Sequence, residues 1–243
     1  MAWTKRTPIT TDFVKRTDIY PNFPSDENLV GYWSLDEGSG SKAYDGSGNS
    51  NDGTLTNMEE ADWVDGIVGK ALDFDGSNDY IDFGVAEYSR IDTFSISAWI
   101  KPTTLKNNSS ILTNFSSGYH GWRFQYTDSG TLTFLCVKNS DGGLQMVYST
   151  DSISAGIWQH VAMKKSGTTV TFYINGELAG SGELAEATLD DATGHLKIAY
   201  EANNAAYLDG LIDEIRFYKT ALTAKEVSAL YKYRGTTEWT TRS

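Results

Sequence analysis

Apolar and polar residues alternate along much of the chain. In the segments 94–101 (FSISAWIK) and 169–174 (TVTFYI), an apolar residue recurs at every second position, as in strands that bury one face. The second segment runs into Asn175-Gly176, a strong signal for a two-residue hairpin turn. Similar short segments recur between turns rich in Gly, Asn, Asp and Ser. This pattern predicts an all-β fold made of two antiparallel sheets packed as a sandwich.

One segment has helical spacing instead. Thr223 and Glu226 form a capping-box sequence, and Val227, Leu230 and Tyr231 follow at intervals that place them on one helical face. We therefore predict one short C-terminal helix, which ends before the glycine at position 235.

Composition and charge narrow the class of protein. A chain of 243 residues with 40% hydrophobic residues is long enough for a single sandwich domain with extensions. The net charge of −12 argues against nucleic acid or an anionic membrane surface as a partner. No stretch approaches 18 apolar residues and the first ten residues lack an apolar core, so we expect neither membrane insertion nor a secretion signal. The single cysteine, Cys136, lies in an alternating segment, which predicts a buried, inert thiol.

Several segments, taken in order, resemble a laminin G-like domain of the concanavalin A-like type. They are LVGYWSLDEGSGSKAYDGSGNSNDGTL, GIVGKALDFDGSNDYIDFG, FSISAWIKP, GIWQHVAM, FYINGELAG and LDGLIDEIRFYKTALTAKEVSALY. The resemblance covers roughly residues 27–234 and implies a jelly roll of two curved sheets. It also implies a structural calcium ion and the binding of carbohydrate or protein, both common in that family. It does not determine the ligand, because this fold supports lectins, adhesion modules, enzyme accessory domains and structural proteins.

The loop at residues 45–53 (DGSGNSNDG) is the first candidate for the calcium site. It carries oxygen-bearing side chains at alternate positions, and its glycines permit tight curvature. Hard cations such as Ca²⁺ prefer oxygen ligands. We therefore predict Asp45, Asn49 and Asn51 as calcium ligands. The alternative is a connection in which these side chains cap the backbone of their own loop through Asx turns.

A fourth candidate ligand, Asp213, comes from a strand. Alternation places Asp213 on the same face as Leu211, Ile215 and Phe217. A buried carboxylate on an apolar face is costly without a cation or several hydrogen-bond donors. We predict that Asp213 binds the calcium ion, with Asp75 as a weaker candidate. Backbone N–H donors to Asp213 are the alternative.

The sequence lacks a convincing catalytic site, so we expect a non-enzymatic protein. A glycosidase needs two carboxylates that project into one groove, and the Glu-x-Asp-x-x-Glu pattern of the related glucanases is absent. Asp213 and Glu214 are adjacent and should point to opposite faces. Glu59 and Glu60 are better explained as solvated loop charges, and His160 as a strand residue.

Carbohydrate binding is the stronger functional prediction. Sugars stack on exposed aromatic rings beside polar groups. The segment 116–122 (SSGYHGW) supplies Tyr119, His120 and Trp122 among small residues, and we predict these three as carbohydrate-binding residues. A place in the core is the alternative for Trp122, which begins a predicted strand.

A short sequence motif recurs outside the predicted jelly roll. WTKRT at 3–7, FVKRT at 13–17 and WTTRS at 239–243 share an aromatic residue, an arginine three positions later and then Ser or Thr. Residues 1–25 carry a net charge of +2 and residues 234–243 carry +1, which leaves −15 on the part between them. We predict that these segments are assembly arms, whose docking residues are Trp3, Arg6, Phe13, Arg16, Trp239 and Arg242.

These features divide the chain into an N-terminal arm (1–26), a laminin G-like jelly roll (27–234) and a C-terminal arm (235–243). The arms have a weaker resemblance to short motifs of bacteriophage structural proteins. We therefore favour a virion structural or attachment protein, made in the host cytoplasm, whose arms bind copies of itself or other virion proteins. Its jelly roll would contact surface glycans. The alternative is an extracellular, freestanding, calcium-dependent carbohydrate-binding module.

Overall fold

The computed structural model describes residues 22–89, 91–116, 120–189, 194–200 and 207–233. Within these residues the chain forms two antiparallel β-sheets and one α-helix, so the predicted all-β sandwich is confirmed. No described helix has the length and apolar character needed to cross a bilayer. Residues 1–21 of the N-terminal arm, the whole C-terminal arm and, within it, the glycine predicted to stop the helix lie outside the described residues.

The strands are short and follow one another through tight connections. In chain order they are β1 (Leu29–Trp33), β2 (Lys42–Ala43), β3 (Gly53–Thr56), β4 (Trp63–Asp65), β5 (Lys70–Asp75), β6 (Tyr80–Val85), β7 (Phe94–Pro102), β8 (Ser109–Thr113), β9 (Trp122–Tyr126), β10 (Thr131–Val137), β11 (Leu144–Ser152), β12 (Gln159–Ser166), β13 (Thr169–Ile174), β14 (Glu177–Glu183), β15 (His195–Ile198) and β16 (Asp209–Tyr218). Helix α1 spans Ala224–Lys232, and 3-10 turns occupy Asp26–Asn28, Glu60–Asp62 and Glu87–Ser89.

Two sheets enclose the core. Sheet 1 has the order β14-β13-β12-β7-β16-β5-β4, and β1 also pairs with β16. Sheet 2 has the order β11-β10-β9-β8-β15-β6-β3-β2. Aromatic rings from both sheets meet between them: Phe94 lies 5.0 Å from Trp122 and 5.9 Å from Phe134, measured between ring centroids. The alternating apolar residues of the sequence therefore fill one shared core.

Two local predictions are confirmed. Asn175 and Gly176 have φ values of 51° and 79° and join β13 to β14, as the hairpin turn requires. At the start of α1, the Thr223 hydroxyl accepts a hydrogen bond from the backbone N–H of Glu226 (3.3 Å), and the Glu226 carboxylate accepts one from the backbone N–H of Thr223 (2.7 Å). This reciprocal cap satisfies two N–H groups at the helix end.

The central strand β16 contains a β-bulge. Asp213 pairs with Trp99 of β7, but the next registered pair is Arg216 with Ser97, so two residues of β16 oppose one residue of β7. Glu214, at the bulge, has a φ of 55°, which is uncommon for a residue with a Cβ. An extra residue of this kind reverses the alternation of the strand from that point onward.

The bulge overturns the predicted face of Asp213. Ile212, Ile215 and Phe217 belong to the main core, whereas the sequence predicted that Leu211 shares a face with Ile215 and Phe217. Asp213 instead pairs with Trp99, which contacts Tyr231 of α1 at 5.6 Å. Because cross-strand partners share a face, Asp213 lies on the side of sheet 1 that carries the helix.

Glu214 lies on that same side, so the expectation that the adjacent carboxylates point to opposite faces is wrong. Its Oε2 is 2.6 Å from Nη2 of Arg216, and its Oε1 accepts a 2.6 Å hydrogen bond from the Tyr32 hydroxyl. The rings of Phe23 and Tyr233 lie 5.7 and 5.4 Å from the Arg216 guanidinium carbon. These five residues, named here the arginine hub, join the first and last described segments of the chain.

Asp213 is fully buried and is held by backbone donors. Its Oδ2 accepts hydrogen bonds from the N–H groups of Ile67 (2.8 Å) and Val68 (3.0 Å), while its Oδ1 has no partner among the described residues. A Cβ built on Gly66 would lie 2.6 Å from Oδ2, so this turn needs glycine at that position. Burial raises the pKa of Asp213 from its ordinary value of 3.8 to about 8, and the nearby Glu214 also raises it. The buried carboxyl is therefore neutral near pH 7.

This raised pKa predicts a pH-dependent stability. Because the folded state binds a proton that the unfolded state has released, wild-type stability should fall between about pH 4 and pH 8 by about 1.4 kcal/mol per pH unit from this group. Asp213→Asn replaces the neutral carboxyl with a neutral amide, so its free energy of unfolding relative to wild type should rise across that window. Urea unfolding at pH 5, 6, 7 and 8 measures the difference. The exposed Asp151→Asn variant is the control, and a pH-independent difference for Asp213→Asn would contradict a raised pKa.

Candidate functional site

The outward face of sheet 2 carries polar and aromatic residues where β6 and β15 pair. Ile81 points into the core, so its neighbours Tyr80 and Asp82 point outward. Lys197 of β15 is registered with Asp82, and His195 lies two residues earlier on the same strand. Four side chains from two paired strands therefore share one outward patch.

The connection that follows β15 adds two more rings. Ala199 has a φ of 65°, and its carbonyl accepts a 3.2 Å hydrogen bond from the N–H of Leu208. This bond brings the two ends of the connection together. The ring centroids of Tyr200 and Tyr207 are 5.4 Å apart, and Tyr80 lies 4.9 Å from Tyr200. We name the set Tyr80, Asp82, His195, Lys197, Tyr200 and Tyr207 the tyrosine–lysine site.

Lys197 stands against the tyrosine rings. Its Nζ lies 4.1 Å from the ring centroid of Tyr200 and 4.8 Å from that of Tyr80, within the range of cation–π attraction. Its side chain is 18% exposed, and the nearest carboxylate oxygen, from Asp82, is 3.6 Å away. Among the described residues, none accepts a hydrogen bond from this ammonium.

The Asp82 carboxylate is hydrogen-bonded mainly by groups other than Lys197. His195 Nδ1 lies 2.8 and 3.0 Å from its two carboxylate oxygens, and the N–H of Gly84 donates to Oδ1 at 2.7 Å. Partial burial, followed by the charge of Tyr80, raises the pKa of the Tyr207 phenol. The site thus combines tyrosine rings, one lysine side chain and a carboxylate that is already hydrogen-bonded.

The loop predicted to bind sugars borders this site. His120 is exposed, and its backbone carbonyl accepts a 3.0 Å hydrogen bond from the N–H of Ser116. Gly194, next to His195 in the chain, packs on the same loop, since a Cβ built there would lie 2.4 Å from the Asn114 carbonyl oxygen. Tyr119 lies outside the described residues.

Trp122 is not a sugar platform, which corrects the sequence prediction. It is 1% exposed, packs on Phe94, and its indole N–H donates to the Ser89 carbonyl at 3.0 Å. The alternative of a core position is therefore the correct one for Trp122. A tryptophan at the start of a strand faces either side, and here the register of β9 turns it inward.

The loop predicted to bind calcium is stabilised by its own hydrogen bonds. Asp45 accepts bonds from the N–H groups of Tyr32 (3.0 Å), Ser47 (2.8 Å) and Asn51 (3.0 Å). The Asn49 amide donates to the Leu29 carbonyl at 2.9 Å, and the Asn51 amide donates to that of Val30 at 2.8 Å. This network matches the alternative of a connection that caps itself through Asx turns.

Asp213 uses different partners from the other predicted ligands. It binds the N–H groups of Ile67 and Val68, and Asp75 caps the N–H of Ser77 at 2.7 Å. In the described ranges, no three His, Cys, Asp or Glu side chains are grouped so that they could hold a metal ion. The four predicted ligands thus have hydrogen-bond partners of their own, and the calcium site stays a prediction.

Sequence reasoning missed the tyrosine–lysine site. A signal was present, because Tyr80 and Asp82 alternate with apolar residues in DYIDF, and His195 and Lys197 do so in HLKIA. This alternation marks outward positions. It does not show that β6 and β15 are neighbours, and only that pairing makes one site of the two segments.

Comparison with known proteins agrees with the architecture. A match to the family described as "Concanavalin A-like lectin/glucanases superfamily" covers residues 75–228. Domain 4 of AbnA, a GH43 extracellular arabinanase from Geobacillus stearothermophilus solved with arabinotriose, is similar with a TM-score of 0.68 and 24% identity. The match covers 84% of this chain and 98% of that one.

Two further solved structures share the fold over only part of their length. The binding domain of Paraclostridial Mosquitocidal Protein 1 has a TM-score of 0.65 and 23% identity, over 85% of this chain and 52% of that one. Trypanosoma rangeli sialidase has a TM-score of 0.62 and 20% identity, over 88% of this chain and 34% of that one. Both similarities concern the jelly roll alone.

The self-capped loop predicts that calcium does not stabilise this protein. We expect EDTA to change the melting temperature of the full chain by less than about 1 °C. A structural ion present at 100 times its Kd contributes about 2.7 kcal/mol, and each kcal/mol is worth about 2–4 °C for a domain of this size. Scanning calorimetry with EDTA, and with calcium restored, measures the effect. A fall of about 5 °C or more, reversed by calcium, would support the calcium prediction instead.

Proposed function

The chain belongs to the concanavalin A-like lectin/glucanases superfamily, and we propose that it is a non-catalytic glycan-binding module whose sugar contact is the tyrosine–lysine site. The similar structures have the jelly-roll fold of lectins and carbohydrate-binding domains. The proposal adds the location of the site and the absence of catalysis in this chain.

One observation carries the proposal: three half-buried tyrosines meet on an outward sheet face beside polar groups. Their ring centroids lie 4.9, 5.4 and 6.4 Å apart. Aromatic faces offer the apolar C–H side of a sugar a stacking surface, while polar neighbours orient its hydroxyl groups. Lys197, Asp82 and His195 are the polar neighbours here. Domain 4 of AbnA, solved with arabinotriose, supports the class of ligand.

The burial of the adjacent carboxylates favours a non-catalytic role. Asp213 is 0% exposed and Glu214 is 1% exposed, and Glu214 is paired with Arg216 and Tyr32. Glycoside hydrolysis requires two carboxyl groups that flank an accessible glycosidic bond. Because both carboxyl groups are buried, a substrate cannot reach this pair.

We further propose that the two arms attach the module to copies of itself or to other proteins of a virion. Phe23 lies near the end of the N-terminal arm and Tyr233 lies two residues before the C-terminal arm, and their ring centroids are 5.4 Å apart. The arms thus join the module at one place, which favours their joint use in docking. The extracellular carbohydrate-binding module without an assembly role is the competing proposal.

Removing a tyrosine from the site should weaken glycan binding. We expect Tyr200→Ala and Tyr207→Ala each to raise the Kd for the bound glycan about tenfold, which corresponds to about 1.4 kcal/mol of lost stacking. Glycan-array screening of the full chain identifies the probe, and calorimetric titration measures the Kd. Tyr44→Ala is the matched control, because Tyr44 is 60% exposed and lies outside the site. Equal losses in all three variants, or none, would contradict this location.

The arm proposal predicts an effect on assembly and not on folding. We expect the full chain to form an oligomer, and the triple variant Trp3→Ala, Phe13→Ala, Trp239→Ala to be a monomer with an unchanged melting temperature. Light scattering measures the solution mass. A monomeric wild-type chain would rule out self-assembly through the arms and would favour the freestanding module.

A further inference from the structure

We propose that the tyrosine–lysine site selects a sugar residue that carries a carboxylate, with Lys197 as the residue that determines this specificity. This inference rests on the proposed glycan-binding function and names the chemical class of its ligand. The supporting observation is that the Lys197 ammonium lies beside the tyrosine rings and has N–H donors without a described acceptor.

Lys197 has donors that the described protein does not use. A lysine ammonium has three N–H donors. The carboxylate oxygen that contacts it, Oδ2 of Asp82, is 3.6 Å from Nζ, which is beyond ordinary hydrogen-bond range. The other contacts of Nζ are the ring faces of Tyr200 and Tyr80, which attract a cation without accepting a directional hydrogen bond.

Asp82 does not accept a hydrogen bond from the Lys197 ammonium, because its carboxylate oxygens already have closer partners. His195 Nδ1 lies 2.8 Å from Oδ1 and 3.0 Å from Oδ2, and Gly84 donates to Oδ1 at 2.7 Å. The carboxylate is therefore held toward His195 and the β6 backbone. Lys197 receives from Asp82 a charge interaction and no hydrogen bond.

A ligand that covers this ammonium must replace the remaining water at it. Burying a charged group without a hydrogen-bonding partner is unfavourable, so a neutral sugar over Lys197 gains stacking and loses solvation. A carboxylate instead supplies charge-assisted hydrogen bonds, which are stronger than neutral ones. Since Nζ lies 4.1 Å from the Tyr200 ring centroid, one acidic sugar residue can contact the ring and the ammonium together.

Among the other charged and titratable groups of the site, no second described ammonium competes with Lys197 for an anionic ligand. The outward groups of β6 are Tyr80 and Asp82, and those of β15 are His195 and Lys197. On the other side of β15, Lys197 is registered with the neutral Thr113 of β8. Lys197 is thus the described ammonium that faces the tyrosine rings of the site.

Matched pairs of acidic and neutral probes test the proposal. The pairs are 3′-sialyllactose with lactose, and trigalacturonic acid with its methyl ester. We expect wild type to bind the acidic member of at least one pair about tenfold more tightly. Lys197→Gln should lose this preference and retain the weaker neutral affinity, while Lys197→Arg should keep it. Lys42→Gln is the control, since Lys42 is an exposed lysine on the neighbouring edge of sheet 2. Melting temperatures confirm that each variant is folded.

The outcomes separate this inference from the proposed function. Equal binding of the acidic and neutral members by wild type would overturn the acidic-sugar proposal and leave glycan binding intact. A preference that survives in Lys197→Gln would remove Lys197 from the specificity. Failure of the full chain to bind any glycan on an array would overturn the proposed function itself, and this inference with it.

Discussion

The buried ion pair between Arg216 and Glu214 is the interaction on which the rest of this fold depends. Both side chains are at most 3% exposed, and Nη2 and Oε2 are 2.6 Å apart. Charges at this depth must be paired, because removing one partner leaves the other desolvated at a cost of about 3–5 kcal/mol. The pair forms only because the bulge turns Glu214 to the side of Arg216, and the Tyr32 hydroxyl then satisfies the second carboxylate oxygen. The first and last described segments, through Phe23 and Tyr233, close over this arrangement.

The two outward faces of the sandwich consequently have different roles. Part of the outer face of sheet 1 is covered, because helix α1 and the segment around Phe23 pack on it in a second apolar cluster. The corresponding face of sheet 2 leaves Tyr80, Tyr200 and Tyr207 partly accessible, and its lysine has unused donors. On the proposed function, stability of the domain and recognition of a ligand would therefore be supported by different sheets. Substitutions in the tyrosine–lysine site can change binding without disturbing the arginine hub.

Sequence alone predicted the strands, the hairpin at Asn175-Gly176 and the helix cap, because each depends on residues close together in the chain. It failed where distant segments decide the outcome. The bulge has no glycine to mark it, since Glu214 itself adopts the positive φ, and one extra residue was enough to reverse the predicted face of Asp213. Trp122 looked exposed in a small-residue loop but is turned inward by the register of its strand. The tyrosine–lysine site could not be assembled without knowing that β6 pairs with β15.

The net charge of the protein and the local charge of Lys197 act over different distances. The net charge of −12 repels polyanions such as nucleic acid at long range, yet at physiological ionic strength exposed charges more than about 8 Å apart are largely screened. The proposed interaction of a bound sugar with Lys197 would act at contact distance. The Lys197 side chain is only 18% exposed, so screening by salt is weak there. On the proposed specificity, an acidic protein can therefore select an acidic sugar, because the choice would be made by one ammonium whose donors have no described acceptor. The surface charge instead limits adventitious binding of larger anions, which engage many positions at once.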